Sequence, residues 1–448
     1  MKKKVIPFVL SFHLLLSTYG LCACNQSSNN IFDRKENVLR VASWDEYIDE
    51  GGEDSYVEGS KALYEEFEDW YFKISEKKIS VEYITLQDNE TMYNKIKMGD
   101  HYDLLCPSEY MMMKLAEENR LEKFPDSFFD AANPNNYYVN NLSPYIKNVF
   151  DNGKLQNGNT WSQYVAGYMW GSTGFVFNPE KIDPVIMSSW NALCSKECKR
   201  KITAKDNVRD SYFMGLGMYY EQELLSLKQD YESGVVSRET YITALNEKMN
   251  DTSEKTMNAV KKQLELMRGN LYGLETDEGK LDVATGRLDA SYQWSGDAVY
   301  ILDVAEESDL YLEYSIPSAT SNLWFDGWVM MKGANIDAAT AFINFLSIPE
   351  NAIRNMYYIG YTSCIGGAQV FDYVTETYGA EEYGDNSTTY DLSYFFGENH
   401  ILTTTIEQTH RQLFAQYPDK DTIDRLVVMN YFDKKTNERA NRMWNNIK

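Results

Sequence analysis

The side chains best suited to chemistry are aromatic rings and carboxylates at the ends of apolar runs. Trp44 follows the alternating run Val38 to Ala42 and precedes Asp45 and Glu46; Tyr110 follows the run Tyr102 to Cys106. Ile202 to Ala204 leads to Asp206 and Asp210, and Leu288 to Trp294 closes on a ring. A ring face attracts an ammonium by about 0.5–2 kcal/mol, depending on desolvation. A carboxylate offsets the large cost of burying that charge unpaired. The pattern suits an organic cation or a carbohydrate, with core packing as the alternative for any single ring. Catalytic constellations are missing: there is no Gly-x-Ser-x-Gly elbow, no His-Glu-x-x-His pair and no phosphate loop. Paired carboxylates would also serve a glycosidase, but the chain is read as a binding protein, with no catalytic residues, no metal and no cofactor.

Composition narrows the classes further. Aromatics make up 14% of the 448 residues, including 34 Tyr and 9 Trp. The net charge of -24 excludes a nucleic-acid partner, because a phosphate-binding surface needs clustered Lys and Arg. It leaves room for a cationic ligand. At the N-terminus, Lys2, Lys3 and Lys4 precede an apolar stretch from Val5 to about Leu16, and Leu21-Cys22-Ala23-Cys24 has the form of a bacterial lipobox. Residues 1–23 are therefore read as a signal peptide and Cys24 as the lipidated residue, with the polar 24–37 as a flexible tether. No later stretch is long and apolar enough to cross a membrane, so the membrane is reached through the lipid alone. Cys194 and Cys198 lie four apart; two thiols near a helix end are preferred, ahead of a local disulfide or half a metal site. His101, His400 and His410 stand at no recognisable metal-ligand spacing.

The elements that position these groups alternate between strand and helix. Val38 to Ala42 and Ile79 to Ile84 alternate as strands, and Tyr102 to Cys106 is a third. Lys61 to Phe72, Asn89 to about Gly99, and Glu109 to Asn119 have helical character, with Ser108 as the cap of the last. This order predicts a mostly parallel sheet covered by helices, with ligands outside the carboxyl ends of the strands. A second α/β unit follows. Tyr168 to Asn178 is a predicted strand broken by Gly171 and Gly174, and Tyr212 to Arg268 is predominantly charged amphipathic helix. Trp328 to Met331 is a strand, Ala338 to Leu346 a helix, and Thr375 to Asn386 an acidic loop.

Several segments, in order, resemble the spermidine/putrescine-binding proteins of polyamine ABC importers. Ser43-Trp44-Asp45-Glu46-Tyr47-Ile48 is similar to that family's opening motif, and Asn89 to Tyr93, Tyr102-Asp103-Leu104 and Pro107 to Tyr110 match its next elements. Tyr168 to Gly174 is similar to its crossover strand. Tyr292 to Gly296, Leu323 to Asp326, Phe342 to Leu346, Pro349-Glu350 and Ile359-Gly360-Tyr361 complete the resemblance, which spans about Leu39 to Ala368.

The resemblance implies an α/β, two-lobed periplasmic-binding-protein fold, each lobe a mostly parallel sheet flanked by helices, with a hinge of two or more crossovers. One lobe is expected over 38–170 plus 327–375 and the other over 171–326 plus 376–448. It places an aromatic box on Trp44, Tyr47, Tyr110, Trp294, Trp324 and Tyr361, and ammonium-binding acids on Asp210 and Asp326; Glu46 is a further candidate. A third acidic position of the family is Asn207 here, with Asp206 adjacent. The implied cargo is putrescine or spermidine, with another organic cation, an iron complex or a sugar as the alternative. The implied partner is an ABC permease, and the receptor is expected to be a monomer outside the cytoplasm, periplasmic or at the cell surface.

Overall fold

The computed structural model describes residues 37–155, 158–275, 279–380, 384 and 386–448. The signal peptide, Cys24 and nearly all of the tether lie outside the described residues. β1 (Val38–Trp44) pairs in parallel with β2 (Ser80–Leu86) along its whole length and with β3 (Leu104–Leu105) on its other side. Between these strands run the helices Leu63–Ser75 and Asn89–Met98. The second of them stops at Gly99, whose φ of 101° lies in the left-handed region that glycine tolerates.

Two strands tie this half to the next. β5 (Val165–Phe177) is buried along all 13 residues. Its first part pairs antiparallel with β10 (Leu323–Met331), and its last part with β8 (Ala290–Trp294). Thirteen extended residues reach about 43 Å, enough for one strand to serve both halves. The sheet order is β2-β1-β3-β10-β5-β8-β6-β7, where β6 (Ile202–Lys205) and β7 (Gly273–Glu275) run parallel to each other and β6 runs parallel to β8; the short β4 (Leu121–Glu122) and β9 (Glu313–Ser315) pair with β10 and β5, respectively. Parallel ladders thus occupy the two flanks and antiparallel ladders the crossover.

Three sequence expectations change. β5 begins at Val165 and continues through Gly171 and Gly174 instead of breaking there. A Cβ at Gly171 would meet Ser295 Oγ at 2.3 Å and the Trp324 ring at 2.6 Å; one at Gly174 would meet the Ser315 carbonyl at 2.5 Å. These glycines permit close approach and leave the strand intact. The charged stretch 212–268 folds as three helices, Val208–Glu232, Arg238–Met249 and Glu254–Asn270; Ser237 and Ser253 cap the second and third by accepting from Thr240 N and Thr256 N. Thr375 belongs to the helix Ala368–Tyr378, not to a loop.

Two cores support the halves. One gathers Leu39, Val41, Phe67, Trp328, Phe342 and Phe345 around the first strands. It also takes in Ala298, Ile301 and Leu302 from the helix Ser295–Glu307, so the halves are packed against each other. The other gathers Phe175, Trp190, Phe213, Leu264 and Tyr292, and the final helix Lys434–Asn445 returns to it through Ala440 and Trp444.

Candidate functional site

The site begins where β1 ends and where the ladder between β10 and β5 changes register. β1 carries the chain to half-buried Trp44; the backbone then turns through Glu46, at φ 51°, and buries Tyr47. Two-residue periodicity puts Trp324 and Asp326 on one side of β10, and the ladder to β5 slips by a residue between Asp326 and Gly327. Tyr47 Oη donates to Asp326 Oδ2 at 2.6 Å, and Tyr168 Oη donates to the Tyr47 carbonyl at 2.9 Å. The Tyr47 ring meets Tyr361 edge-on at 6.0 Å, and Tyr361 lies 5.3 Å from Trp324. The indole of Trp324 donates to the Ser172 carbonyl at 3.0 Å. The close fit depends on Gly296, where a Cβ would stand 1.7 Å from the Tyr361 ring.

Asp326 is buried, and this raises its pKa; Tyr47, Ser108 and Trp44 favour its charged form and oppose the shift. Its Oδ1 is buried with no hydrogen-bond partner among the described residues. Such a group is costly unless something else meets it. No Lys or Arg of the described residues forms a salt bridge with it. Beside it, Glu109 accepts from Phe325 N at 3.3 Å and is pushed up to about 8 by burial and by the charge of Asp326. Ser108 stands at the N-cap of the helix Glu109–Glu117 but makes no side-chain capping bond; its Oγ accepts from Asn89 instead.

The other half contributes a different arrangement. Asn207 caps the helix Val208–Glu232, accepting from Arg209 N and Asp210 N, and so sets Asp210 in the first turn. Asp210 is buried and pushed up to about 6 by that burial, against the pull of Lys205, a hydrogen bond from Trp294 and Arg209. Lys205 Nζ lies over the Trp294 ring, 4.4 Å from its centroid, and donates to Asp297 Oδ2 at 2.9 Å. Lys280 reaches Asp297 Oδ1 at 2.7 Å, and Tyr361 Oη donates to the same oxygen at 3.1 Å. Burial works to raise Asp297, but Lys205 and Lys280 outweigh it and hold the carboxyl below its ordinary range.

The structure therefore brings Trp44, Tyr47, Trp324, Asp326 and Tyr361 together, and Tyr361 links them through Asp297 to Lys205, Trp294 and Asp210. Tyr110 stands apart: its hydroxyl donates to Glu90 at 3.2 Å and the Arg209 guanidinium lies 4.8 Å over its ring. Glu46 is exposed. Asp206 is turned to the end of the chain, accepting from Trp444 Nε1 at 2.9 Å and pairing with Lys448 at 3.3 Å. The Cys194 and Cys198 thiols lie against the sulfurs of Met218 and Met187, at 3.6 Å and 3.9 Å, and both are free. Sequence reasoning did not single out Lys205, Arg209, Glu109 or Asp297. Asp297 was within reach, three residues after Trp294 and on the first turn of a helix. Lys205 gave no signal beyond ending a strand.

Comparison with known proteins follows the same lines. The family described as bacterial extracellular solute-binding protein matches residues 57–377. A spermidine/putrescine-binding periplasmic protein of Salmonella typhimurium is 26% identical over 358 residues, covering 78% of this chain and 83% of that protein. A putrescine-binding periplasmic protein of Pseudomonas aeruginosa is 22% identical over 421 residues, 92% of each. Among solved structures, a spermidine/putrescine ABC transporter protein from Listeria monocytogenes is 26% identical with a TM-score of 0.61, covering 92% of this chain and 98% of that one. The spermidine/putrescine substrate-binding protein of Streptococcus pneumoniae is 24% identical with a TM-score of 0.59, with the same coverage.

Proposed function

We propose, from the premise that this chain belongs to the bacterial extracellular solute-binding protein family, that it captures a polyamine between its two halves and delivers it to the permease of an ABC importer. The observation that carries this reading is Asp326. It is a buried carboxylate with one oxygen held by Tyr47 and the other without a hydrogen-bond partner among the described residues, walled by Trp44, Tyr47, Trp324 and Tyr361. A ligand ammonium supplies the missing partner, and the rings cover its methylenes and attract its charge. Asp210 supplies a second counter-charge from the other half. Two acids match the two ammoniums of putrescine. With Asp206 engaged by Trp444 and Lys448, no acid of that segment replaces Asn207 for a third.

In this reading the halves are lobes, 38–170 plus 327–375 and 171–326 plus 376–448, hinged where β5 and β10 cross at Trp170 and at the Asp326/Gly327 slip. Ligand closes them, so scattering should give a smaller radius of gyration with putrescine than without. The receptor works as a monomer, held to the membrane by a lipid on Cys24; mass spectrometry of the mature N-terminus should find a diacylglyceryl adduct there. The test of the function itself is a thermal-shift screen against putrescine, spermidine, thiamine, Fe(III) and sugars. A bound ligand at 100 times its Kd adds about 2.7 kcal/mol to stability. Stabilisation by a sugar or iron and not by either amine would overturn the reading.

A further inference from the structure

We infer that Lys205 is a built-in ammonium that fills one subsite of the cleft and thereby limits the length and charge of the amine accepted. The inference rests on the polyamine reading and names the residue that sets its cargo. Everything that would hold a ligand ammonium surrounds Lys205 Nζ: the face of Trp294 at 4.4 Å, the Asp297 carboxylate at 2.9 Å and Glu275 at 3.8 Å. The Lys205 side chain is only 1% exposed. It arrives there because β6 runs parallel to β8, with Ile202 opposite Ala290 and Thr203 opposite Ser291, so that Lys205 ends one strand where Trp294 ends the next. A lysine side chain is a four-carbon stem bearing an ammonium, the same chemistry as one aminobutyl arm of a polyamine.

The filled subsite is continuous with the site around Asp326. Asp297 accepts from Tyr361 Oη at 3.1 Å, the Tyr361 ring touches both Trp324 and Tyr47, and Tyr47 holds Asp326. A longer amine anchored at Asp326 would direct its far ammonium toward the place Lys205 already holds. Two cations there share Trp294 and Asp297 and repel each other, so the third charge of spermidine gains nothing from the cage.

The test is calorimetry with putrescine and spermidine on wild type, Lys205→Met and Lys205→Gln. Emptying the subsite should raise the ratio of spermidine to putrescine affinity at least tenfold in a folded variant; a ratio within threefold of wild type overturns the inference. Should neither variant fold, wild type still decides, because spermidine bound tenfold or more tightly than putrescine contradicts a filled third subsite. A second readout separates this inference from the polyamine reading. Butylammonium should raise the melting temperature of Lys205→Ala and leave wild type unchanged, and no selective rescue overturns the subsite. If wild type binds neither amine, the polyamine reading fails, while rescue of Lys205→Ala still shows a subsite that takes an ammonium.

Discussion

Asp326 and Asp297 are both buried carboxylates at the edge of the same aromatic cluster, both within reach of a tyrosine hydroxyl, yet they differ in what neutralises them. Asp297 lies between Lys205 and Lys280, and its pKa is held below the ordinary range. Asp326 has Tyr47 on one oxygen, no hydrogen-bond partner on the other among the described residues, and an acidity weakened by burial, which Tyr47, Ser108 and Trp44 only oppose. The first is a finished internal ion cluster. On the proposed function, the second is completed by the ammonium of the ligand. Counting acids in a cleft therefore overestimates the positive charge a ligand can bring; what matters is which acids the protein has left without a cation of its own.

The largest effect should come from removing the open carboxylate. Asp326→Asn leaves a ligand ammonium buried without its partner, at about 3–5 kcal/mol. Each 1.4 kcal/mol is about tenfold, so calorimetry should show putrescine affinity falling by roughly a hundredfold or more. Near-native binding by this variant would break the comparison at its centre. The closed cluster should answer differently. Asp297→Asn removes the carboxylate that lies 2.9 Å from Lys205 and 2.7 Å from Lys280, so the loss should fall on folding. About 3 kcal/mol of stability should disappear in urea unfolding. Unchanged stability would mean that the ion cluster is not the finished structure described above.

How far the sequence foretold this contrast can be traced residue by residue. Trp44 was legible because it closes an alternating run, whereas Trp324 and Asp326 were named by the family resemblance, the local strand reading having begun only at Trp328. Tyr361, which joins the two regions, was legible through the resemblance alone, since nothing local sets a residue after Gly360 beside Trp324 and Asp297. Lys205 was not legible, because a lysine after three strand residues has the pattern of a solvated end. Its burial follows from the pairing of β6 with β8, a contact across 88 residues between Thr203 and Ser291. The glycines of β5 misled for a related reason. Gly171 and Gly174 weaken a strand considered alone, but the groups that need their missing Cβ are the side chains of residues 295, 314 and 324 and the carbonyl of Ser315. Local pattern showed where the strands are; which charges meet is decided by contacts between distant segments.

A smaller effect should distinguish the walls from the carboxylate. Trp44 is half-buried and favours the charged form of Asp326, so Trp44→Ala should weaken putrescine by about 1–3 kcal/mol with the fold retained, through lost contact area and cation–π attraction. Trp324 is buried and donates to Ser172, so Trp324→Ala should lose stability as well as affinity, by about 3–5 kcal/mol for a buried Trp. Circular dichroism melts alongside calorimetry separate the two. Equal melting temperatures for both variants would place Trp324 at the surface of the site and not in its support.

The smallest effect is in protons, and it tests whether Asp210 belongs with the open carboxylate or with the closed cluster. Burial pushes Asp210 up to about 6, and Lys205, Trp294 and Arg209 only partly oppose this. A folded pKa above the unfolded one means that the native state takes up protons the unfolded chain does not. Stability from this group is therefore highest at acid pH and falls as pH rises from about 4 through 6. Binding runs the other way, because a cation prefers the ionised carboxylate. At pH 6 the group is about half protonated, so a ligand ammonium that meets it should expel about half a proton. Glu109, pushed up to about 8, is already protonated there and titrates in a separate window. Calorimetry at pH 6 in two buffers of different ionisation enthalpy measures the released protons directly. The release should be present in wild type and reduced by about half a proton in Asp210→Asn. An equal release from both proteins would assign Asp210 to the internal ion cluster of Lys205 and leave Asp326 as the carboxylate that meets the ligand.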